Sequence, residues 1–153
     1  MSYEVKNVKT WDTMDGGGFQ LSLYLDDKRI GQVTDQGWGG DIDFDLKEGE
    51  MDKLRTFCQQ LPKEENPFSG EMESPCPDSF VCCLINRFET RKKLKKDIKS
   101  KTSYIKHGEV WVSPTPYSKE YVKWLRGKNQ DTEIIVLNEL ELEEAVEKVL
   151  ELT

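Results

Sequence analysis

The sequence predicts an α+β protein, and three observations predict it. "FQLSLYL", residues 19–25, alternates apolar and polar side chains at the period of a half-buried strand. From Gly49 the apolar period lengthens to that of an amphipathic helix. Strand signals crowd the first 46 residues, whereas helices dominate the remainder of the chain, with a second hairpin between them. The expected architecture is an N-terminal antiparallel β-meander packed with helices, then hairpin, helix, strand and helix.

Taken in order, Tyr3 to Val8 reads as a first strand. "FQLSLYL" places Phe19, Leu21, Leu23 and Leu25 on one face, with Gln20, Ser22 and Tyr24 on the other. "DDK" turns the chain into "RIGQVTD", and "DIDFDL" alternates again as another strand. The glycine clusters at 16–18 and 37–40 supply turn conformations between them. Met51, Leu54, Phe57, Cys58 and Leu61 recur at helical spacing until Pro62. Residues 62–77 carry four prolines and no period, and read as a mobile acidic loop within a single domain, 1–153. Asp78 or Ser79 caps a long helix to Lys99. "SYIKHGEVWVS" closes a hairpin at His107 and Gly108. Ser118 caps a short helix ended by Gly127, and "EIIVL" reads as a central strand. Asn138 and Glu141 form a capping box for an acidic last helix.

The chain has 153 residues, enough to bury roughly two-thirds of its unfolded surface. It is polar, with 33% charged residues, but its 15 aromatics and clear periodicity argue against general disorder. No apolar run suits a membrane span or a signal core, so the expected location is the cytosol. Cys58, Cys76, Cys82 and Cys83 read as reduced thiols. "CPDSFVCC" lacks zinc-ligand spacing, and one histidine cannot complete a site. No cofactor or metal is expected.

The net charge of −7 conceals an uneven distribution. Between Arg87 and Lys106 nine basic residues face two acidic ones, so the rest of the chain is strongly negative. Arg87, Arg91, Lys92, Lys95, Lys96 and Lys99 are either a solvated helix face paired with acids elsewhere or a partner-binding patch. Direct nucleic-acid binding there is opposed by the acidic remainder.

No catalytic constellation is present. There is no nucleophile elbow, P-loop or dinucleotide fingerprint, and His107 reads as a turn residue. The cluster at 37–40 precedes a strand, so it lacks the helix N-terminus of a phosphate cradle. Asp41, Asp43 and Asp45 form a line about 7 Å apart, which does not converge on a metal. With Asp35 and with Glu143, Glu144 and Glu147 of the last helix, they read as an acidic surface suited to a basic groove. The alternative is that outward aspartates protect a sheet edge and that the glutamates favour a helix dipole. Trp38, between Gly37, Gly39 and Gly40, either folds down on the sheet, the commoner outcome, or projects as a platform. Trp11, Trp111 and Trp124 read as core or semi-buried.

The stretch "WDTMDGGGFQLSLYLDDKRIGQVTDQGWGGDIDF" resembles the opening of small uncharacterised proteins encoded by tailed phages and bacterial mobile elements. The shared pattern is "GGF", a "LYLD-K-IG-V-D" hairpin, then "G-GG"; "LKKDIKSKT" and "IIVLNEL" are similar too. The likeness implies only a setting, an accessory protein acting inside a bacterium. Two hypotheses lead there. One is a non-enzymatic inhibitor of a host defence protein, acting through its acidic surface. The other is a binder or sponge for a nucleotide signal, using the glycine turns, Trp38 and basic residues. An enzyme ranks third; an oligomer is compatible with either reading, and a membrane partner with neither.

Overall fold

The computed structural model describes residues 1–152. It shows an α+β fold with an N-terminal antiparallel meander. The chain divides into two compact units, Met1–Ile85 and Asn86–Thr153.

In unit 1, β1 (Tyr3–Thr13), β2 (Gly16–Leu25), β3 (Lys28–Asp35) and β4 (Asp43–Leu46) form an antiparallel sheet in sequence order. Alternation along β2 buries Phe19, Leu21 and Leu23, while Leu25 at the strand end is half-buried. Asp26 and Asp27 both take positive φ, the conformation a tight two-residue hairpin demands. β1 runs five residues past its expected end, with a bulge between Lys6 and Lys9 that absorbs Asn7 at φ 54°. α1 (Glu50–Gln59) buries Leu54 and Cys58 within this unit. The rings of Tyr3, Phe57 and Phe80 meet at 4.9–5.8 Å, joining β1 to α1 and to the start of a later helix.

Residues 62–77 correct the expectation of a periodless loop. β5 (Glu64–Glu65) and β6 (Met72–Glu73) pair as a small hairpin. Its turn is organised by Asn66, whose Oδ1 accepts from the Phe68 amide at 2.8 Å and whose Nδ2 donates to Glu73 at 2.9 Å. Strands this short carry no alternation, so a side chain rather than a pattern defines the turn.

α2 (Pro77–Ser100) begins earlier than its expected cap. Pro77 suits the first helical position, and the Cys76 sulfur, not Asp78 or Ser79, receives the Ser79 amide at 3.5 Å. Buried Cys58 has its thiol pushed up to about 11, by desolvation first and by Cys76 second. Folding therefore favours its protonated form, a contribution present below pH 9.0 and lost as pH rises through about 11. We expect a maleimide at pH 8 to label exposed Cys76 in the folded protein and Cys58 only after unfolding, as read by peptide mass spectrometry.

In unit 2, β7 (Thr102–Lys106) is central, flanked by β8 (Glu109–Ser113) and β9 (Ile135–Val136). His107 and Gly108 turn β7 into β8 with positive φ at both, as the sequence predicts. α3 (Lys119–Lys128) is capped by Ser118, which accepts from the Tyr121 amide at 3.0 Å. It continues through Gly127 to end at Asn129, where a side-chain bond to the Leu125 carbonyl closes it. Val122 and Leu125 pack with Ile134 and Val136 in one cluster. In a second cluster, α4 (Leu142–Leu150) packs Ala145 and Val146 with Leu94, Ile105 and Leu137.

Two sequence expectations fail here. β9 is a two-residue edge strand rather than a central one, and Asn138 caps no helix. Asn138 instead sits in a 3-10 turn, Leu137–Glu139. Its Oδ1 accepts from the buried Ser103 amide and its Nδ2 donates to the Lys101 carbonyl, both at 2.8 Å. Asn138→Ala leaves that amide unpaired and should cost about 2 kcal/mol, measurable by urea unfolding.

Candidate functional site

The most distinctive surface lies at one end of the unit 1 sheet, where the β1–β2 turn meets the chain leaving β3. Trp11 and Thr13 of β1 hold that exit. The Trp11 indole donates to the Gln36 carbonyl at 3.2 Å, and the Thr13 hydroxyl is hydrogen-bonded to the Gly37 carbonyl. Gly37 is buried at φ 84°, and its amide donates to Asp35 Oδ1 at 2.9 Å. The glycines have local causes. A Cβ at Gly18 would collide with the Trp11 ring and lie 2.8 Å from the Asp35 carbonyl, and one at Gly37 would lie 2.8 Å from Thr13 Cγ2.

This pinning decides the conformation of Trp38. Its ring does not fold onto the sheet; it projects, 63% exposed, while Gly39 and Gly40 border open space. Met14, at the tip of the β1–β2 turn, is 98% exposed, and Trp11 is 37% exposed. Three large apolar side chains are thus presented from two segments that hydrogen bonds tie together. The sequence reads Trp11 as core or semi-buried and carries no signal for Met14. Exposed aromatics and methionine at a fixed backbone are the side chains that dominate protein interfaces.

The surroundings are acidic. Asp12, Asp15 and Asp41 are exposed and Asp35 is half-buried, and no lysine or arginine occurs from Thr10 to Asp27 or from Gln32 to Leu46. β4 is one of the two edge strands of the sheet, paired among the described residues with β3, and Asp43 and Asp45 are exposed on it opposite Thr34 and Gln32. Asp41 precedes the strand, because pairing begins only at residue 43, yet its side chain is exposed as well. Unit 1 carries 17 acidic residues against 8 basic ones. Among the described residues, no three His, Cys, Asp or Glu side chains come together as a metal site.

The remaining expected residues lie in unit 2, and several of them neutralise one another. Arg87 is paired with Glu147, and Arg91 with Glu143 at 2.5 Å. Such exposed pairs contribute little stability, but they take four charges out of the two expected patches. Glu144 is exposed on α4. Lys92, Lys95, Lys96 and Lys99 line one face of α2 with Phe88 and Arg91, and among the described residues no acid pairs with these lysines. Trp111 and Trp124 are exposed rather than semi-buried. Trp124 stacks on Tyr121 at 5.6 Å, with Lys128 over its ring. His107 stands in its turn, with Nε2 3.5 Å from the Thr132 hydroxyl.

No helix among the described residues is long and apolar enough to cross a membrane. No protein family, curated protein or solved structure matches the chain.

Proposed function

We propose that this is a non-enzymatic binding protein whose unit 1 docks a basic protein surface. In the bacterial setting implied by the phage and mobile-element resemblance, that partner is a cytoplasmic host defence component, inhibited by occupation of a basic groove. One observation carries the reading: Trp11, Met14 and Trp38 are exposed on two segments tied by hydrogen bonds, the end of β1 with its turn and the chain leaving β3, whose neighbouring charges are aspartates. The apolar side chains supply desolvated contact, and the carboxylates steer a cationic partner.

Exposed Trp38 also favours a second reading, a platform for a nucleotide base. Two observations weigh against it. The Gly37 amide is committed to Asp35 rather than open to phosphate, and the charges on these segments are all negative. The lysine face belongs to unit 2.

The test is a capture from bacterial lysate at low and high salt, with wild-type bait and with Trp38→Ala. A protein held at low salt, released at high salt and lost with Trp38→Ala is the expected result. A nucleotide that co-purifies and quenches Trp38 fluorescence would instead establish the second reading.

A further inference from the structure

We propose that β8 is a dimerisation edge, pairing antiparallel with β8 of a second copy of this chain about a twofold axis at Trp111. This rests on unit 2 alone and is independent of the docking surface of unit 1. Among the described residues β8 pairs only with β7, so its other side is an open sheet edge. Open edges are ordinarily blunted by lysine, proline or a bulge. Between Glu109 and Ser113 there is none of these, and the pairing with β7 runs without a register shift. Instead Val110, Trp111 and Val112 are all exposed, on both faces of the strand.

The sequence of β8 is complementary to itself. A perpendicular twofold at Trp111 keeps each residue on its own face and sets Val110 against the partner's Val112, and Trp111 against the partner's Trp111. At either end it sets Glu109 against the partner's Ser113. Within its own chain the Ser113 oxygen accepts from Tyr121 at 2.7 Å and from the Thr115 amide at 3.3 Å. Its own hydroxyl hydrogen is therefore left to donate to the incoming carboxylate. No like charges are opposed in this register. On the helix-facing side, Val110 and Val112 line a groove of about 180 Å³ with Leu94 and Val149, bordered by Lys93 and Asp97, and the partner's valines would continue its apolar part. A second copy thus meets the main-chain, apolar and polar requirements of the edge together.

The test is sedimentation equilibrium of the full chain over roughly a hundredfold concentration range, with hydrogen exchange of the same samples. The expected result is a mass approaching twice 17.8 kDa, with the amides of Val110 and Val112, which alternate away from β7, gaining protection as concentration rises. Trp111→Lys and Val112→Lys, at exposed positions, should each weaken the dimer at least tenfold while keeping wild-type circular dichroism. A wild-type chain that stays monomeric overturns the proposal. So does a dimer whose β8 amides gain no protection, or one that both folded variants retain.

Discussion

Trp38→Ala is expected to weaken capture of the partner by about 30- to 700-fold, the loss of roughly 2–4 kcal/mol typical of a central tryptophan anchor. The same substitution should leave the free energy of unfolding within about 0.5 kcal/mol of wild type, because an exposed ring contributes little packing. That combination separates an anchor from a structural residue. Met14→Ala should act in the same direction with a smaller loss, since methionine offers less rigid contact area. Asp41→Asn, Asp43→Asn and Asp45→Asn should act differently, lowering the association rate and the salt dependence more than they alter the dissociation rate. Affinity and salt-dependence measurements by surface plasmon resonance check all of these. Equal binding by wild type and Trp38→Ala would place the interface elsewhere.

Gly31→Ala is expected to destabilise unit 1 by about 3 kcal/mol, combining backbone strain with overpacking. Gly31 has φ 155°, and a Cβ there would collide with the Asp45 carbonyl and lie 2.7 Å from Leu46 Cα. The substitution therefore acts on the β3–β4 pairing that presents Asp43 and Asp45. Gly40→Ala, in open space, is the matched control and should be nearly neutral. Urea unfolding of the two variants gives the stability difference. Hydrogen exchange should show the β4 amides losing protection in Gly31→Ala and not in Gly40→Ala.

How much of the fold is legible in the sequence depends on how local each cause is. The β2–β3 hairpin, the helix at Leu54 and Cys58, and the Ser118 cap are readable because alternation, helical period and a single capping side chain act over a few residues. Asn138 misleads for the opposite reason. Its spacing to Glu141 matches a local box, while its actual partners are Ile98, Lys101 and Ser103, 35 to 40 residues away. The hairpin at 64–73 is invisible to periodicity because its order comes from the Asn66 side chain rather than from any pattern.

The candidate site is half visible. The aspartates and the tryptophan between glycines stand out, but the direction of Trp38 depends on Trp11 and Thr13, about 25 residues earlier. No local pattern encodes that tie, and so nothing in the sequence marks Trp11 or Met14 as surface. In unit 2, the acidic and basic groups that read as separate surfaces partly cancel, because α2 and α4 bring Arg87 to Glu147 and Arg91 to Glu143.

The central claim is that the acidic, tryptophan-bearing end of the unit 1 sheet is covered by the partner. Hydroxyl-radical footprinting of the complex tests it most directly, because Met and Trp side chains are strongly oxidised when exposed. Trp11, Met14 and Trp38 should lose oxidation on binding, while Phe68 and Trp124, also exposed, keep theirs. Undiminished oxidation of Met14 and Trp38 in a saturated complex would contradict the account.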